Sequence, residues 1–119
     1  MTDHNKILLA RLRAYKGDDS MLAEELLILA GWDENCADEQ ASTWESPLRS
    51  IDGAIQFARE LLPNHKIKIA LLPELLGGYV LIEGSDSRMA RKRLFIQDNM
   101  CSTICCIALE AKLGWGGAP

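Results

Sequence analysis

Between residues 51 and 69 the hydrophobic period changes from that of a helix to that of a strand, which limits the chain to a mixed α and β architecture. Ile51, Ala54, Ile55, Ala58, Leu61 and Leu62 recur at helical spacing, the stripe of an amphipathic helix. Ser50 stands where an N-cap belongs, Asp52 sits in the first turn where the helix dipole favours negative charge, and Pro63-Asn64 ends the pattern. Lys66-Ile67-Lys68-Ile69 then alternates strictly, as a half-buried strand with one wet face does. Pro73 ends that strand or confines it to an edge, Gly77-Gly78 lets the chain turn, and Tyr79-Val80-Leu81-Ile82-Glu83 reads as a more fully buried strand. After the loop Gly84-Ser85-Asp86-Ser87, Arg93-Leu94-Phe95-Ile96-Gln97 is a third strand. Asp98 or Asn99 caps a last helix from about Met100 to Leu113, closed by Gly114. Helix, three strands and helix in that order predict an antiparallel meander that the two helices can cover.

The N-terminal third is helical twice. Ile7, Leu8, Arg11, Leu12 and Tyr15 mark one stripe, and Gly17 stops that helix. Asp18-Asp19-Ser20 offers N-cap chemistry for a second, lined by Met21, Leu22, Leu26, Leu29 and Ala30 and ended by Gly31. Residues 33–45 then carry five acids (Asp33, Glu34, Asp38, Glu39, Glu45) and no base, which reads as a solvated linker or extended arm. The expected organisation is α+β: a helical hairpin over 1–32, an acidic linker over 33–45, a helix–three-stranded antiparallel sheet–helix sandwich domain over 46–114, and a flexible tail over 115–119.

Composition narrows the function classes. A chain of 119 residues is enough for one compact domain, and its net charge of −4 does not suit a whole-protein nucleic-acid clamp. Charge is divided unevenly, with a net of −6 over residues 1–45 and +2 over 46–119. The halves can therefore attract each other, or one copy's acidic arm can lie on another copy. No apolar run nears the roughly 18 residues of a membrane span, and Met1 to Lys6 has no signal-peptide layout. A cytoplasmic protein is expected. Cys101, Cys105 and Cys106 crowd one apolar segment, unlike the spread cysteines of a secreted disulfide framework.

Ser50-Ile51-Asp52-Gly53-Ala54 running on to Leu61-Leu62-Pro63, the short strands, and Ile104-Cys105-Cys106-Ile107-Ala108-Leu109-Glu110-Ala111 together resemble the phage ABA sandwich domain family. Leu8-Leu9-Ala10-Arg11-Leu12 followed by Gly17-Asp18-Asp19 is similar to the N-terminal part of such proteins. The resemblance covers most of the chain, each motif being short. The family's central strands are often richer in Trp and Tyr, whereas this sheet region keeps Tyr79 alone. The resemblance implies helices around a small sheet and a phage or prophage setting, and it implies no activity.

Enzyme constellations are weak. His65 follows a helix end without a nucleophile in a glycine elbow, the adjacent pairs Glu24-Glu25 and Asp38-Glu39 splay apart, and Gly77-Gly78 lacks the following Lys-Ser/Thr of a phosphate loop. Cys101 and Cys105, four apart, share a helix face and could grip zinc, but a closed site needs four ligands, and packing of small apolar thiols on a sheet is the expected role. The best binding candidate is the basic segment Arg88, Arg91, Lys92 and Arg93, beside Ser85 and Ser87. A helical turn there would put Arg88 and Arg91 on one face. Its blander reading is a solvated loop whose charges protect a sheet edge from aggregation. Trp32, Trp44 and Trp115 lie outside the regular elements and are expected to pack onto a neighbouring surface.

The expected function is that of a non-enzymatic phage or prophage accessory protein acting by binding, for instance as a counter-defence protein sequestering a host factor or a nucleotide signal. No catalytic residue, cofactor or metal is expected, and self-association is. Partners of the right kind are a host or phage protein or a phosphorylated small molecule, with nucleic acid less favoured and a membrane not expected. The alternatives are phosphate or nucleic-acid binding through residues 88–93, and a small thiol or metal protein using Cys101, Cys105 and Cys106.

Overall fold

The computed structural model describes residues 3–17, 19, 21–72, 74, 76–84 and 90–113. Five helices, α1 (Asp3–Arg13), α2 (Leu22–Leu29), α3 (Glu34–Ala41), α4 (Ile51–Leu61) and α5 (Met100–Lys112), accompany strands β1 (Lys66–Leu72), β2 (Gly77–Glu83) and β3 (Ala90–Ile96). The strands form one antiparallel sheet in the order β1-β2-β3, a meander within an α+β fold.

Strand alternation sorts the sheet into two faces. Ile67 and Ile69 pair with Ile82 and Val80, and these pair in turn with Arg91 and Arg93. Val80, Ile82 and Phe95 are buried on this side, where Ile67 and Ile69 also pack against the core. α5 lies on β2 and β3, and α1 and α4 pack against α5. Every residue of α5 from Thr103 to Glu110 is buried, so the helix is enclosed on all sides.

α1 and α2 share this core. Leu8, Leu9, Leu12, Leu22 and Leu26 lie in one hydrophobic cluster with Phe57, Ile82, Ile104 and Leu109. The Arg11 guanidinium ties the two helices together: Nε and Nη2 donate to the Asp19 carboxylate at 2.8 Å each, and Nη1 donates to Glu25. These bonds push the Arg11 guanidinium up and hold the Asp19 carboxyl below its ordinary range.

Several expectations need correction. The segment 33–45 is not a linker, because it contains α3. Asp33 caps that helix by accepting the Cys36 N–H at 2.8 Å, and Ala37 is fully buried against the rest of the chain. Scattered acids hid a helix that needs only one small inward residue. Asp19 pairs with Arg11, and its Oδ1 also accepts the N–H of Met21 at 3.3 Å, so it serves the start of α2 from outside the N-cap position, which Met21 occupies. Asp18 and Ser20 lie outside the described residues. Ile7 and Met21 are exposed and leave the buried stripe to their neighbours. Gly77 and Gly78 open β2 and do not form the turn. A Cβ on Gly78 would stand 2.0 Å from the Ala70 carbonyl oxygen, so this crossing of backbones admits only glycine. β3 begins at Ala90, ahead of the expected Arg93, and Gln97–Asn99 forms a 3-10 turn before α5. Asn99 occupies the N-cap position of α5 without a side-chain cap bond; its Oδ1 accepts the Ile96 N–H at 3.0 Å.

Other local signals hold. Ser50 caps α4 by accepting the Gly53 N–H at 2.8 Å. At Gly31, with φ of +107°, α2 ends in a Schellman pair: Trp32 N–H donates to Leu27 and Gly31 N–H to Ile28.

Gly53 gives a test of packing against propensity. Helix propensity alone favours alanine there by about 1 kcal/mol. A Cβ, however, would lie 2.2 Å from the Glu45 carbonyl oxygen and 2.7 Å from that of Ser46. Gly53→Ala is therefore expected to destabilise by about 1–3 kcal/mol, read as a lower urea midpoint at unchanged slope. A gain in stability would mean that the 42–50 loop does not press on α4.

Candidate functional site

The fold disperses the basic segment singled out in the sequence. Arg88 lies outside the described residues. Residues 90–93 are strand, where a helical turn reaching Lys92 was expected. Arg91 pairs with Ile82 in the register; Arg93 opposes Val80 on the covered face, whereas Lys92 opposes Leu81 on the other. Period-two geometry thus divides what looked like one patch.

Arg93 is committed to a buried carboxylate. Glu110 of α5 is 6% exposed, and Arg93 Nη2 reaches its two oxygens at 2.7 and 3.0 Å. Arg13 of α1 donates to the same carboxylate at 2.6 Å, which raises the Arg13 guanidinium above its ordinary range. Arg93 Nη1 also donates to Cys106 Sγ at 3.4 Å. Arg13, Arg93, Tyr15, Ser102, Thr103 and Cys106 border a cleft of about 160 Å³. Two cations against one anion leave a net single charge there, with both guanidiniums already donating to Glu110. Arg13 and Glu110 are the residues that sequence reading missed. Arg13 lies off the apolar stripe of α1 and carries no local signal, whereas the signal for Glu110 is a carboxylate within the apolar run of α5.

The other face of the sheet is uncovered. It carries Lys66, Lys68, Ala70 and Leu72 from β1, Tyr79, Leu81 and Glu83 from β2, and Lys92, Leu94 and Ile96 from β3, as the pairing register fixes. Leu94 is 71% exposed and Ile96 58%. Chemistry is graded along the strands: Leu72, Leu94 and Ile96 lie at one end, and Lys66, Lys68 and Lys92 towards the other. Lys68 Nζ stands 3.9 Å from Glu83, and Lys92 Nζ lies 4.8 Å from the Tyr79 ring centroid, a cation–π contact.

The thiols occupy separate environments. Cys105 is fully buried and its S–H donates to the Pro47 carbonyl at 3.5 Å; Cys106 faces Arg93. Burial pushes Cys105 well above its ordinary range and raises Cys106 and Cys101. Cys36 is exposed, and its hydrogen bond with Asp33 raises it. Among the described residues no three His, Cys, Asp or Glu side chains converge as metal ligands. Trp32 docks by donating from Nε1 to Glu60 at 2.7 Å, whereas Trp44 is 74% exposed and Trp115 lies outside the described residues. No helix among the described residues is long and apolar enough to cross a membrane.

No protein-family model, curated protein or solved structure matches this chain.

Two outcomes follow from this geometry. Arg13→Met combined with Arg93→Met strips Glu110 of both partners and is expected to cost about 3–5 kcal/mol, more than the two single variants together. Additive single effects in denaturant melts would show that the guanidiniums act independently. Alkylation of the folded protein is expected to label Cys36 first and Cys101 next, with Cys105 and Cys106 reacting only on unfolding. Early labelling of Cys105 by mass spectrometry would contradict its placement in the core.

Proposed function

We propose that this chain is a non-enzymatic accessory protein that acts by binding a protein partner through the uncovered face of its sheet. The observation that carries the reading is the exposure of Leu94 and Ile96 on that face, in register with Leu72 and Tyr79. Large apolar side chains left in water in a group mark an interaction surface more often than scattered ones do. The lysines at the other end, Lys66, Lys68 and Lys92, give the surface a sign. A complementary partner presents an acidic stretch next to apolar or aromatic side chains.

The phage or prophage setting rests only on the resemblance of residues 8–19, 50–63, 104–111 and the short strands between them to that family. In that setting the partner is a host or phage protein, and holding a host factor away from its target is the concrete form of the activity. Phosphate recognition by the basic segment stands behind this reading because Arg93 is engaged by Glu110.

Selection of a random peptide library on the immobilised full-length protein tests the reading. Peptides pairing Asp or Glu with Leu, Ile, Phe or Trp are expected to be enriched, to lose binding to the Leu94→Asp protein, and to weaken with salt. Peptides that bind Leu94→Asp as well as they bind the unaltered chain, or no enrichment at all, would overturn it.

A further inference from the structure

A second surface lies at the end of the molecule where the β1–β2 turn meets the first turns of α4 and α5. Arg49, Ile51, Leu71, Leu76, Gly77 and Met100 border a cavity of about 500 Å³ there, within the range of about 300–1,000 Å³ that ligand-sized groups fill. Its walls hold exposed apolar side chains. Leu71 and Leu76 are mostly exposed, and Leu76 has φ of +50°, a conformation that a bulky L residue adopts only under constraint.

A bulky exposed side chain is held close to one wall of this hole. Arg49, which borders the cavity, donates from Nη1 to the Ser42 carbonyl at 3.3 Å, two residues before Trp44. The same loop presses its Glu45 and Ser46 carbonyls on Gly53 of α4. Trp44 is not among the residues that border the cavity, and it remains the most exposed large apolar side chain described.

We infer that a second copy of this chain covers this end, each copy's Trp44 filling the cavity of the other. A knob and a hole on one patch are self-complementary under a twofold axis, so one kind of contact is made twice and the assembly closes. Charge fits the same occupant. Arg49 is the charged side chain of the cavity lining, and Glu45 adjoins the knob. Insertion of Trp44 brings each Glu45 to the partner copy's Arg49. Tryptophan and arginine are also the residues that most often dominate binding energy at interfaces. This surface is distinct from the sheet face proposed for partner binding, and neither depends on the other.

Sedimentation analysis of the full chain from about 1 μM to about 1 mM is expected to show a reversible monomer–dimer equilibrium that salt weakens. Trp44→Ala is expected to raise the dimer Kd by about 30-fold or more. Arg49→Glu is expected to weaken the dimer, and Arg49→Glu with Glu45→Arg to restore it. Leu94→Asp is expected to dimerise like the unaltered chain, and Trp44→Ala to keep the peptide binding that tests the sheet face. A chain monomeric at every concentration overturns the inference, as does dimerisation unchanged by Trp44→Ala or by Arg49→Glu. Loss of the dimer in Leu94→Asp alone would mean that sheets stack face to face, and would overturn it as well.

Discussion

One carboxylate on α5 joins the layers of this molecule. α5 is enclosed by the sheet, α1 and α4, and near its end it carries Glu110 into that enclosure. A carboxylate that leaves water unpaired is costly enough to disfavour the fold. Arg13 from the helical side and Arg93 from β3 converge on it, so Glu110 can stay buried only while all three elements are docked. The guanidinium side chains remain about half exposed, which spares most of the desolvation that a fully buried triad suffers.

That clamp also decides which charges the surface keeps free of an internal partner. By engaging Arg93, it commits that half-exposed guanidinium to an internal carboxylate. Strand alternation sends Lys92 to the opposite face, where it joins Lys66 and Lys68 beyond a group of exposed leucine and isoleucine side chains. The surface that results is part oily and part cationic. It stays in water because a three-stranded sheet covered on one side has no second layer to hide its other side.

The legible parts of the chain were those where neighbouring residues carry the whole signal. Ser50 ahead of a helical stripe, Gly31 at a helix end and the Lys-Ile alternation of β1 each depend on contacts within a few residues. α3 escaped notice because its burial rests on Ala37 alone, too small to mark a stripe among acids. Gly77 and Gly78 looked like a turn because glycine serves both turns and close backbone crossings, and only the neighbouring strands distinguish the two. The candidate site was half visible: Lys92 and Arg93 were singled out, but their opposite facing and the roles of Arg13 and Glu110 were not.

By itself the sequence determined the mixed α and β class, the helix–meander–helix order and the internal character of the thiol-bearing helix, because local period and capping are properties of adjacent residues. Tertiary structure alone decided which charges are satisfied and which face water. Arg13, Arg93 and Glu110 are far apart in the chain, and their meeting depends on the docking of α1, β3 and α5. The uncovered sheet face likewise exists because α5 lies on the opposite face with α1 and α4 packed against it, an outcome of packing that no local pattern encodes.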